Sequence, residues 1–238
     1  MKNDLFSIGP FTVHGYGLMI AIGVLSAYYM VEYRAKKKQM DWEKVFPLTV
    51  WSVLGGFLGS KILYLLTRLP DILANPALLG SSIKDGFVVY GGIIGGILTA
   101  WIYCKCTKWN FWKIFDIAMP AVAMAQGFGR IGCLLAGCCY GIELDPANPI
   151  GIVFHNSAYA PNDVALLPTQ IISSVLDFAN CFVLLALSKK LKTDGQVASC
   201  YLIFYSIGRF VLEYFRGDLI RGNVGEFSTS QFISLFIC

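Results

Sequence analysis

Six stretches of this chain are apolar over close to the roughly 20 residues that a helix needs to cross a bilayer. They fall at about 12–33, 45–66, 87–104, 114–136, 169–188 and 196–215. The chain is 56% hydrophobic and 14% charged, where a soluble domain would carry roughly 25% charged residues. The pattern reads as an all-α polytopic membrane protein. A seventh apolar run begins near Ser228 and reaches Cys238, and its 11 residues are too few to span as a helix. About seven transmembrane helices are therefore expected, the last of them short, re-entrant or truncated. Lys2 and Asp4 precede a short apolar start, and the first long run continues into a basic segment, so the first helix reads as retained rather than as a cleaved signal peptide.

Basic residues assign the orientation. Arg34, Lys36, Lys37, Lys38 and Lys44 fill the first loop, Lys105, Lys108 and Lys113 the third, and Lys189, Lys190 and Lys192 the fifth. The segment 137–168 carries no Lys or Arg, and Arg68 and Lys84 of the second loop are offset by Asp71 and Asp85. The positive-inside rule then makes odd loops cytoplasmic and puts the N-terminus outside. Even loops at about 67–86, 137–168 and 216–227 form a small extracytoplasmic head on a single domain, 1–238. Pro70, Pro76, Pro146, Pro149, Pro161 and Pro168 make that head turn-rich rather than helical. The net charge of +4 is topology in this setting, and no nucleic-acid partner is expected.

Glycines cluster inside the spans, at 55, 56 and 59 and at 91, 92, 95 and 96, spacings that give smooth helix faces for close packing. Those beside polar residues could also open a groove for a ligand. The eight cysteines are scattered, mostly in or beside apolar runs, and suggest no disulfide framework.

Six ionisable residues fall within or at the ends of spans: Lys61, Asp116, Arg130, Asp177, Arg209 and Glu213. Such residues are costly in lipid and either pair or act. Arg209 and Glu213, four apart, can pair on one helix, and Asp177 can accept from Lys61 or from an arginine on another helix. Arg130 and Arg209 both lie towards the outer ends of their helices in the assigned topology. Two planar guanidinium forks at one depth suit a phosphate. A phosphate held there, with acyl chains running between helices, describes an anionic phospholipid.

The residues resemble one family in order along nearly the whole chain, the phosphatidylglycerol–prolipoprotein diacylglyceryl transferases of bacterial membranes. "FSIGPFTVHGYGLM" resembles the family's opening segment, with His14 and Tyr16 matching residues important there. "GFLGSKILY" resembles its second-helix stretch, with Lys61 in place of arginine, and "DGFVVYGGIIGG" its third-helix H-G-G segment, carrying Gly91 and Gly92. "AQGFGRIGC" resembles the signature G-R-x-G-N, with Arg130 at the essential arginine and Gln126, Gly129, Gly132 and Cys133 around it. "PTQ" matches P-[ST]-Q and supplies Gln170, while "GRFVLEYFRGD" matches R-F-x-x-E-x-x-R through Arg209, Glu213 and Arg216. "STSQFISL" resembles the start of the last helix.

The resemblance implies transfer of the diacylglyceryl group of phosphatidylglycerol to the lipobox cysteine of a prolipoprotein signal peptide, at the outer leaflet of the cytoplasmic membrane and without cofactor or metal. It implies catalytic roles for Arg130 and Arg209 as a phosphate clamp, with Glu213 orienting Arg209. Asp116 is expected to orient a neighbour at the inner side. The general base stays open between His14, whose ordinary pKa of ~6.5 suits the task, and Tyr90, which stands where the family often has the histidine of H-G-G. His155 reads as a surface residue. Tyr16, Lys61, Gly91, Gly92, Gln126, Gly129, Gly132, Cys133, Gln170 and Arg216 are expected to line the substrate site.

Cys133 replaces the signature asparagine, Ala136 a second asparagine, Cys138 a glutamate, and Ser173 the glutamate after P-[ST]-Q. Four readings of Cys133, Cys138 and Cys139 stay open: packing in a tight turn, a redox pair with Cys133 and Cys138 the easier partners, a metal site lacking accompanying histidines, or a thiol relay. Two other functions are weighed against the transferase. One is a family-like protein that passes an anionic lipid to another acceptor, or only senses or moves it. The other is a channel or transporter, which lacks the expected internal symmetry.

Overall fold

Apolar runs bounded by basic residues or prolines become helices close to where their hydropathy puts them. The computed structural model describes residues 4–8, 11–75, 80, 83, 86–218, 223–224, 227–228 and 231–232. Its helices are α1 (Gly15–Lys37), α2 (Val45–Thr67), α3 (Leu69–Ala74), α4 (Val89–Thr107), α5 (Phe111–Ala136), α6 (Thr169–Leu187) and α7 (Gln196–Glu213). α1 ends on Arg34, Lys36 and Lys37, cations placed at the negative end of its dipole. Among the described residues, 5 segments are long and apolar enough to cross a membrane: Gly15–Lys37, Trp42–Thr67, Val89–Thr107, Phe111–Ala136 and Thr169–Leu187. The chain is a mostly helical, multi-pass membrane protein. α7, with Arg209 and Glu213 in its last turns, is not among those segments. The expected seventh helix falls largely outside the described residues, of which 231–232 are helical.

Two local differences from the sequence expectation have simple causes. The first apolar run does not begin as helix: β2 (Phe11–His14) pairs antiparallel with β1 (Asp4–Ile8), with an irregularity between Asp4 and Phe6. Thr12 and Val13 are β-branched and favour extended backbone, so the helix starts at Gly15. The second loop contains α3, which carries Pro70 in its first turn. A proline there lacks only an N–H that would have no helical partner anyway, so it starts a helix instead of breaking one.

The chain divides into two compact units, Glu32–Ile114 and Met1–Val31 with Phe115–Cys238. In the first, α2 and α4 meet through the glycine faces that the spacing suggests. A Cβ added at Gly59 would stand 2.9 Å from the Gly95 Cα, and one at Gly56 would stand 3.2 Å from the Gly92 carbonyl oxygen. Leu48, Cys104 and Ile114 form this unit's small apolar core.

In the second unit, Met119 and Ala123 of α5, Cys181 and Leu184 of α6, and Val197, Ala198 and Tyr201 of α7 form the core. α1 lies close on α5, where a Cβ at Gly23 would come within 3.1 Å of the Ala125 carbonyl oxygen. The buried carboxylate of Asp116, expected to orient a neighbouring side chain, instead caps α7. Its Oδ2 accepts from the Gly195 N–H and its Oδ1 from the Ala198 N–H, each at 2.8 Å. An acceptor and a negative charge at a helix N-terminus satisfy free donors and the dipole together. Asp116→Ala is expected to destabilise the protein by about 1–2 kcal/mol, read as a lower melting temperature in detergent. Melting like the wild type would contradict the capping role.

Residues 137–168 are turn-rich as expected. β3 (Ile152–Val153) pairs antiparallel with β4 (Ala165–Leu166), and Asp145 Oδ1 accepts from the Ala147 N–H at 2.8 Å in a tight turn. Phe154, Ala160 and Leu166 pack as a small cluster over Leu134, near the C-terminal end of α5. A last two-residue ladder joins β5 (Asn223–Val224) to β6 (Phe227–Ser228).

Candidate active site

Polar residues recur at helical spacing on two otherwise apolar helices. Ser173, Asp177 and Asn180 lie on one face of α6, and Tyr205 and Arg209 on one face of α7. With Arg130 from α5, these side chains line a cavity of about 290 Å³. The rest of its wall is apolar, including Leu176, Val183 and Leu212.

Arg130 is largely buried, with 20% of its side chain exposed, and faces Asp177 at 3.9 Å, too far for a hydrogen bond. No hydrogen-bond acceptor is found for its guanidinium among the described residues. Asp177 Oδ2 and Asn180 Oδ1 are likewise buried without a hydrogen-bond partner. Buried polar atoms are nearly always satisfied, so several unsatisfied ones around one cavity mark a site made for something else to fill. Arg209 pairs with Glu213 as its spacing suggests, Nη2 to Oε2 at 2.8 Å, with both side chains mostly buried. The sequence marks Asp177 as an intramembrane charge and Ser173 as a family departure. That the two join Asn180 in one polar stripe is a feature the sequence reading missed, although their spacing in an apolar run carries the signal.

The C-terminal end of α5 carries the second group of candidates. Gly129 has no neighbour within 4 Å of an added Cβ, whereas one at Gly132 would reach the Tyr16 ring at 3.1 Å. Tyr16 therefore lies beside the signature, with 43% of it exposed. Beyond Ala136 the chain turns sharply, with left-handed backbone at Gly137 (φ 74°) and at Cys139 (φ 62°). Two residues of "PTQ" grip that turn: Thr169 Oγ1 donates to the Cys139 carbonyl at 2.8 Å and Gln170 Nε2 to the Cys138 carbonyl at 2.9 Å. The Arg216 guanidinium makes a two-pronged contact with Asp218, at 2.8 and 2.6 Å, and lies near Cys139. Its backbone bridges to Gly141, which ties the end of α7 to the turn.

Cys133, Cys138 and Cys139 are all free thiols, and their sulfurs lie within 4.8 Å of one another. Hydrogen bonds with Cys133 and Cys139, and then burial, push the Cys138 thiol far above the ordinary thiol range.

The remaining candidates are placed as follows. His14 ends β2, opposite Asp4 in the register, and is exposed. Gln126 accepts from the Tyr201 hydroxyl at 2.9 Å. Lys61, Tyr90, Gly91 and Gly92 belong to the unit Glu32–Ile114. There Lys61 Nζ donates to the Gly86 carbonyl at 3.0 Å and sits 4.4 Å above the Phe87 ring centroid. Gly91 is buried against Gly59, and Tyr90 is 39% exposed.

Five bilayer-length apolar helices, with a cavity between helices lined by two arginines, define a multi-pass membrane protein. Comparison with known proteins makes this specific. The chain belongs to the prolipoprotein diacylglyceryl transferase family, which it matches over residues 3–238. It is 46% identical to the phosphatidylglycerol–prolipoprotein diacylglyceryl transferase of Clostridium tetani, over 99% of this chain and 93% of that protein. It is 45% identical to phosphatidylglycerol–prolipoprotein diacylglyceryl transferase 2 of Clostridium perfringens, over 100% of this chain and 91% of that protein. The Staphylococcus carnosus transferase of the same name is 30% identical over 98% and 85% of the two chains.

Proposed function

We infer that this chain moves the diacylglyceryl group of phosphatidylglycerol onto the lipobox cysteine of prolipoproteins, the first step of lipoprotein maturation. The observation that carries the reading is the buried Arg130 guanidinium, without a hydrogen-bond acceptor among the described residues, facing a cavity it shares with Arg209. A headgroup phosphate supplies the missing acceptors, and the apolar remainder of the wall suits acyl chains.

In the reaction the substrate thiol loses its proton to a general base, and the thiolate attacks the glycerol carbon that carries the phosphate ester. A C–S bond forms, the C–O bond breaks, and glycerol phosphate leaves with the electron pair. Arg130 and Arg209 stabilise the charge that develops on the leaving phosphate, in a water-poor site where fixed cations act strongly. Glu213 holds Arg209 in position. Tyr16 and Gly132 stand near the headgroup, Gln170 and Arg216 set the turn beside it, and Gln126 steadies Tyr201 below it. His14 and Tyr90 are the two candidate bases, and Lys61, Gly91 and Gly92 candidate lipid contacts, each to be tested by mutation. In this reading the N-terminus is outside, α7 and a last helix complete about seven spans, and the site faces the outer leaflet.

The test supplies phosphatidylglycerol vesicles and a lipobox peptide to the purified protein. A peptide heavier by one diacylglyceryl group is the expected product. Lipid bound without any adduct, beside an active relative run as control, would overturn the transferase reading.

A further inference from the structure

We propose that Cys133, Cys138 and Cys139 form a three-thiolate site for one soft, thiophilic cation of the closed-shell kind, such as zinc(II) or copper(I). The three come from a helix end and the turn after it. Cys133 lies in the last full turn of α5, and the Cys138 N–H donates to its carbonyl at 3.1 Å. The left-handed backbone at Cys139 lets two consecutive side chains converge on Cys133, an arrangement that extended backbone, with its alternating side chains, does not give. Such a conformation costs about 1 kcal/mol or more in a residue other than glycine.

The distances suit a metal. A cation ~2.3 Å from each sulfur holds the sulfurs about 3.8–4.0 Å apart, so a set lying within 4.8 Å must close by about 1 Å at most. A disulfide would use two of the three and leave the third partly buried beside it. Three soft ligands without histidine or carboxylate select for thiophilic ions and against magnesium or calcium. The surroundings also fit the charge. As each S–M bond forms, a thiol proton passes to solvent, and the excess negative charge of three thiolates faces the guanidinium groups of Arg216, itself paired with Asp218, and of Arg130. Thr169 and Gln170 fix the turn through the carbonyls of two of the ligands, the outer-shell support that metal sites carry. Three protein ligands leave one position of a tetrahedral ion open.

The experiment uses the full chain in detergent, reduced, stripped with a chelator, and titrated with cadmium chloride. A thiolate-to-cadmium charge-transfer band should saturate at one ion per chain. Cys138→Ser should lose the band or bind about 100-fold or more weakly, a larger loss than outer-shell changes usually give, while Cys106→Ser, at an exposed thiol, should titrate like the wild type. If Cys138→Ser does not fold, alkylation of wild type followed by peptide mass mapping gives the same answer. Cadmium should then protect these three cysteines and leave Cys106 reactive. No saturable band, unprotected thiols, an unchanged band in folded Cys138→Ser, or a disulfide among the three in protein isolated without reductant would each overturn the proposal.

Discussion

Arg130→Lys is expected to lower kcat/KM for diacylglyceryl transfer by about 100- to 1,000-fold, the loss typical of removing one preorganised donor from a developing oxyanion, with the melting temperature little changed. Lysine keeps the charge but gives up the planar fork that can grip two phosphate oxygens at once. Because Asp177 stands 3.9 Å away without a hydrogen bond, the substitution breaks no well-made internal pair, and the fold should survive it. The check is a steady-state assay with phosphatidylglycerol and lipobox peptide beside a thermal melt. Near-normal turnover in the lysine variant would remove the phosphate clamp from the mechanism.

The second large effect is on folding. Gly59→Leu should prevent the protein from accumulating in folded form, and Gly59→Ala should destabilise it by about 1–3 kcal/mol, the usual cost of overpacking. The contact explains why: an added Cβ at Gly59 meets the backbone of Gly91 and Gly95, and not the tip of a flexible side chain. Neither helix can yield without losing the close approach that drives helix association in lipid. Gly17→Ala is the control, since nothing lies within 4 Å of an added Cβ there. Yields and melting curves in detergent separate the outcomes, and a normal melt for Gly59→Ala would mean that α2 and α4 pack differently.

Much of the fold is legible in the amino-acid sequence, because lipid imposes a strong code. Hydropathy marks α2, α4, α5 and α6 to within a few residues, as membrane length leaves little freedom. The pairing of Arg209 with Glu213 follows from their spacing of four on one helix. Other features depend on tertiary contacts. Asp116 looks like one more intramembrane charge, yet it caps the start of α7 from another helix, a contact between residues about eighty positions apart. Nothing local signals such a partner. The polar stripe on α6 is readable in its spacing, but which helix faces it is not.

Fold class and family follow from the amino-acid order alone, because bilayer-length hydropathy and seven short motifs in order are properties of the chain. Which of those residues meet depends on tertiary structure. It set Arg130 and Arg209 on one cavity, turned the "PTQ" side chains onto the carbonyls of the cysteine turn, and brought three sulfurs together. Side-chain convergence depends on helix rotation and backbone handedness, which arise from packing between distant segments and not from local spacing.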